Sequence, residues 1–147
     1  MLRFEKLNEG WNASPNDPDP RIETTGPDLF LRFRLNYYIF PGYGRDDIGL
    51  LTFRNCARFR LGGTNDEGWY MGQCRFGKRA PAWGEFYELI GDAQGLDEDA
   101  DWCITNAGSG IRRHFLFYLR DDTFECTADD WAFSVERHSA DSLIEQG

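Results

Sequence analysis

Lysine is nearly missing from this 147-residue chain, with two residues, Lys6 and Lys78, against fourteen arginines. Histidine is as scarce (His114 and His138), and the four cysteines, Cys56, Cys74, Cys103 and Cys126, include no close pair. Structural zinc sites draw two ligands from one turn, as in C-x-x-C, so this spacing excludes that pattern and no metal is expected. The longest apolar runs are a few residues, as in Phe115–Leu119, whereas a membrane-crossing helix needs about 20. No membrane span is expected. The start, Met-Leu-Arg-Phe-Glu-Lys, lacks the apolar stretch of about 7–15 residues that marks a secretory signal. The expectation is therefore a cytoplasmic protein with reduced thiols, its cysteines acting as small buried hydrophobes.

Nucleotide and nucleophile motifs are absent as well. There is no P-loop, and no G-x-G-x-x-G opens a helix after a strand. Gly108-Ser109-Gly110 lacks the flanking glycines of a nucleophile elbow. Asp97, Asp99 and Asp101 start like a calcium loop, but the positions that need glycine and glutamate hold Trp102 and Gly108. No cofactor is expected.

What the chain does have is acid and aromatic rings. Twenty-five acidic against sixteen basic residues give a net charge of −9, which opposes binding to nucleic acid and anionic lipid. Hydrophobic residues make up 41% and aromatics 16%, enough to exclude a disordered chain. The length suits one domain spanning residues 1–147. Arginine, unlike lysine, offers a rigid fork of donors matched to carboxylate and phosphate.

Periodicity predicts strands. Residues 8–28 hold four of the six prolines (Pro15, Pro18, Pro20 and Pro27) and read as a surface loop or arm, because proline removes backbone donors. From 29 to 39 apolar and polar residues alternate, and residues 50–61 read as a second strand. Residues 69–76 would form its hairpin partner after the glycine-rich turn at 62–68. Weaker or shorter strands are predicted at 85–90 and 102–105. Residues 112–119 are apolar on both faces, as in a sheet interior, followed by strands at 123–128 and 131–136. Only the tail from Ser139 suggests a helix. The expected fold is all-β, an antiparallel sandwich or barrel of about seven or eight short strands with at most one or two short helices.

Three constellations could carry function. If the strands at 29–39 and 50–61 are neighbours, Arg32, Arg34, Arg54, Arg58 and Arg60 share one face and could bind an anion through bidentate hydrogen bonds. The alternative is a surface neutralised by Glu85, Glu88 or Glu136. With a three-residue turn at 120–122, Glu125 falls opposite Phe117 on an apolar face, where burial would raise its pKa toward an acid–base range. That register sends His114 to the other face, so no His114–Glu125 dyad is expected. Trp69, Tyr70, Trp83, Tyr87, Trp102 and Trp131 either fill the core or form a stacking platform.

The functional expectation is a cofactor-free binding or interaction module that recognises an anionic ligand or a protein partner. One alternative is an immunity-type inhibitor that neutralises a basic protein with its acidic loops at 92–101 and 121–130. Another is a hydrolase or isomerase using Glu125 as acid or base. Exposed sheet edges would also allow a homodimer.

Overall fold

Alternation with a period of two sorts inward from outward side chains. In the computed structural model, which describes residues 3–63, 84–91, 103–104, 113–119 and 122–137, Leu29, Leu31 and Phe33 of β3 (Asp28–Arg34) are buried, while Phe30, Arg32 and Arg34 turn outward. The next strand, β4 (Ile48–Arg54), repeats the pattern with Gly49, Leu51 and Phe53 inside. Ten strands and no helix occur among the described residues. The remaining eight are β1 (Arg3–Lys6), β2 (Arg21–Thr25), β5 (Arg58–Gly63), β6 (Phe86–Ile90), β7 (Cys103–Ile104), β8 (Arg113–Tyr118), β9 (Asp122–Ala128) and β10 (Asp130–Glu136).

The strands form two antiparallel sheets that pack as an open sandwich, not a closed barrel. One has six strands in the order β1-β6-β8-β9-β5-β7, the other four in the order β10-β4-β3-β2. Phenylalanines from both sheets meet between them. Phe33 lies edge-on to Phe117 at 5.0 Å, and Phe53 lies 5.3 Å from Phe115. Full burial of a side chain this size contributes roughly 1.5–3 kcal/mol, so these rings and the leucines buried with them supply the hydrophobic stabilisation. Gly49 makes room for it: a Cβ there would stand 2.6 Å from the Phe33 ring.

The predicted strand at 50–61 is two strands in different sheets. Asn55, at a left-handed φ of 54°, turns the chain at the junction. Its amide donates to the Asp28 carboxylate, and the Cys56 amide donates to the Pro27 carbonyl. Arg54 pairs with Asp130, but Arg58 pairs with Thr127, so residues 55–57 oppose only 128 and 129. The extra residue is a bulge, the usual means by which a strand pair bends from one sheet into the next.

The segment 8–28 is more than a surface arm. Trp11 is buried, stacks on Phe133 at 4.0 Å, and also touches Phe33, Phe86 and Phe117. Asn8 secures it by donating to the Trp11 carbonyl and accepting from the Phe86 amide. Residues 21–25 form edge strand β2, joined to β3 by a two-residue hairpin whose first loop residue, Gly26, has φ 59°. A type II′ turn takes glycine there. Proline still keeps the segment out of the sheet centre, as expected of strands that must donate on both sides.

The central strands β8 and β9 of the six-stranded sheet are buried on both faces. His114 to Tyr118 of β8 are all buried, in keeping with their unbroken apolar run. Other predicted features, including the hairpin at 69–76, the acidic loop at 92–101 and the tail helix, lie outside the described residues.

Candidate functional site

The five arginines do not share a face. Arg32, Arg34 and Arg54 lie on the outer face of the four-stranded sheet, whereas Arg58 and Arg60 belong to the six-stranded sheet beyond the Asn55 corner. Arg54 is six residues along β4 from Ile48, roughly 20 Å at strand rise, and pairs with Asp130 at 3.3 Å. Only Arg32 and Arg34 remain together. A third arginine joins them: Arg21 of β2 sits directly opposite Arg32.

These three line a cleft of about 270 Å³ whose wall also includes Asp19, Phe33, Ile48 and Glu136. Like charges facing one another across strands are destabilising, and carboxylates offset them here. Arg32 donates from Nε to Glu136 at 2.9 Å and from Nη1 to Glu23 at 3.2 Å. Glu136, and then Glu23, hold its guanidinium above the ordinary arginine pKa. Arg21 pairs with Asp19 at 3.0 Å. Arg34 is the exception. Its Nε is buried without a hydrogen-bond partner among the described residues, and Asp17 stands off at 3.9 Å. Of the carboxylates expected to neutralise the arginines, Glu136 does so, while Glu88 is taken by Arg113 and Glu85 by Lys6.

Glu125 corrects the sequence expectation. The Leu119 amide bonds to the Asp122 carbonyl, Tyr118 pairs with Thr123, and Glu125 falls opposite Leu116. The turn is one residue shorter than expected, and a slip of one residue moves every side chain to the opposite face. Glu125 and His114 therefore share a face. Their Oε2 and Nε2 are 2.7 Å apart, and Arg60, paired with Glu125 in β5, donates Nη1 to Oε1 at 3.3 Å. The network is sealed: Glu125 is 0% exposed, and the side chains of His114 and Arg60 are 3% and 19% exposed. Arg60 Nε and Thr123 Oγ1, on the same face, are buried without partners among the described residues.

Cys56, Cys103 and Cys126 are free thiols. Burial, reinforced by contact with Cys56, pushes the Cys126 thiol well above its ordinary pKa, which opposes nucleophilic reactivity. Among the described residues no group of His, Cys, Asp or Glu is arranged to hold a metal. Within the acidic segment 121–130, Asp129 accepts from Asn55, and Asp130 pairs with Arg54 and Arg113. Of the proposed stacking platform, Tyr87 is buried and Trp131 packs against Phe86 at 5.2 Å, while Trp69, Tyr70, Trp83 and Trp102 lie outside the described residues. The chain matches no family model, and comparison with curated proteins and with solved structures finds no significant match.

Sequence reasoning missed Arg21 and Asp19 because they fall in the proline-rich segment. The signal was there: Arg-Ile-Glu-Thr-Thr followed by Gly-Pro alternates, is β-branched and ends in a turn pair.

Proposed function

We propose that the chain is a binding module whose recognition surface is the outer face of the four-stranded sheet. Arg21, Arg32 and Arg34 there receive the negatively charged group of a small ligand. The observation that supports this reading is Arg34, a guanidinium at the wall of an open cleft whose nearest carboxylate among the described residues, Asp17, stands at 3.9 Å without a hydrogen bond to its Nε. Arg32 supplies field and shape, because both its carboxylate partners already hold it in place. The cleft is slightly smaller than the roughly 300 Å³ at which drug-sized sites begin, so the ligand is small. Arg54, Arg58 and Arg60 have no part in it.

Calorimetric titration with carboxylates, inorganic phosphate and amino carboxylates tests the reading. At least one compound should bind saturably, and Arg34→Gln should weaken it tenfold or more. A silent panel, or binding unchanged in Arg34→Gln, contradicts it.

The contact between His114 and Glu125 favours a second reading, acid–base catalysis. Arg60 would hold Glu125 in place, and Glu125 would orient His114. Glu125→Gln that abolishes turnover on a panel of esters and phosphoesters, while melting near wild type, supports catalysis. A large stability loss with no turnover to lose marks the network as structural.

A further inference from the structure

Among the described residues each sheet ends in two edge strands, and three of these four are guarded against pairing with another chain. β7 has only two residues, and β1 carries charges on three of its four. β2 bears Arg21 and Glu23 and is flanked by Pro18, Pro20 and Pro27. Short length, charge and proline are the usual protections of an edge. β10 is the exception. Its seven residues include no lysine, arginine or proline, and its charges, Asp130 and Glu136, sit at its two ends.

The phase of the ladder determines which backbone groups of β10 face outward. The β2–β3 hairpin closes on Thr25 and Asp28, and hydrogen-bonded pairs alternate along antiparallel strands. Leu29, Leu31 and Phe33 therefore bond to β4, whose Arg54, Thr52, Leu50 and Ile48 bond to Asp130, Ala132, Ser134 and Glu136. That leaves the N–H and C=O groups of Trp131, Phe133 and Val135 directed at the open edge. The Trp131 amide agrees, since it donates to the Asp130 carboxylate at 2.8 Å and not to β4. Phe133 and Val135 keep theirs unpaired among the described residues. Their side chains, with that of Trp131, are only partly buried, while Ala132 and Ser134 are exposed.

We infer that β10 pairs antiparallel with β10 of a second copy of this chain, joining their four-stranded sheets across a twofold axis. Two symmetric registers lie close together. One centred on Phe133 sets Asp130 opposite the second copy's Glu136 at both ends, and like charges so placed are destabilising. It also needs the Trp131 amide, which Asp130 holds. The register centred on Ser134 avoids both faults. There Phe133 exchanges hydrogen bonds with the second copy's Val135, and Val135 with its Phe133. Glu136 faces Ala132, and the two Ser134 residues face each other. The half-buried side chains of Phe133 and Val135 then cover one another's open flank. The pairing does not depend on a ligand in the arginine cleft.

Sedimentation velocity and light scattering on the full chain, over a wide range of concentration, test the pairing. The mass should rise with concentration toward twice that of one chain. Ser134→Lys sets two ammonium groups against each other at the twofold axis and should weaken the dimer tenfold or more. Its thermal melt should stay near wild type, because the position is exposed. Ser134→Cys should give a disulfide-linked dimer on mild oxidation, since directly opposed residues of a non-hydrogen-bonded pair come within bridging distance. Ala132→Cys should link no better than the native chain. A monomer at every concentration, or a dimer that Ser134→Lys leaves intact, overturns the inference. Hydrogen exchange at the Phe133 and Val135 amides then tells what replaces it. Protection in a monomer assigns the edge to another segment of the same chain, and free exchange leaves it to a strand of a different protein.

Discussion

The two sheets carry the same chemistry on their outer faces in opposite surroundings. On the four-stranded sheet, Arg32 bonds Glu136 and Glu23 with its side chain still 34% exposed. On the six-stranded sheet, a partly buried Arg60 and a buried His114 share the fully buried Glu125. Water screens the first set, so each exposed pair contributes about 0–1 kcal/mol and can be remade around a ligand. The second set has lost its hydration, and breaking it strands a charge in low dielectric. The same residue types thus give an adaptable surface on one side and a fixed internal network on the other. The buried network also specifies register: one step of slippage between β8 and β9 would turn Glu125 into the layer of Phe115 and Phe117.

The largest effect is expected inside the sealed network. Glu125→Ala leaves Arg60 and His114 without their shared partner, and urea denaturation should show a loss of about 3–5 kcal/mol. A loss under 1 kcal/mol would place the two faces on the same footing. Next is the ring layer beneath the exposed face. Gly49→Ala drives a methyl into the buried Phe33 ring, and overpacking of this kind should cost about 1–3 kcal/mol by the same measurement. On the exposed face itself, Arg32→Met should change stability by about 1 kcal/mol or less.

The smallest effect concerns acid. The Trp131 amide, helped by Arg54 and Arg113, holds the Asp130 carboxyl below the ordinary aspartate pKa. A group depressed in the folded state adds stability above its unfolded pKa, and that contribution is lost as pH falls through the folded value. Asp130→Asn should therefore flatten slightly the fall in melting temperature through the aspartate range. An unchanged acid profile would show that this ion pair contributes nothing.

Much of the sandwich was legible in the sequence. The alternation at 29–35, the unbroken apolar run at 115–119 and the turns between them placed the core strands, because burial on one or both faces leaves a direct mark on residue order. The errors came where one residue decides the geometry. Asn55 carries no apolar signal, yet its left-handed backbone bends a strand into the other sheet and separates Arg54 from Arg58. The β8–β9 turn is shorter by a single residue, which sufficed to bring His114 and Glu125 together. Trp11 was hidden by the prolines around it, since proline reports on backbone donors and not on where a nearby side chain packs. Arg21 was missed for the same reason, and with it the third arginine of the cleft.

On the proposed reading the exposed face binds a ligand and the buried network does not. Arginine Nε–H resonances can be followed by two-dimensional NMR during titration with small carboxylates and inorganic phosphate. The Arg34 signal should move and saturate with ligand, while the Arg60 signal stays in place. An Arg34 signal that never moves, or an Arg60 signal that moves alone, would contradict it.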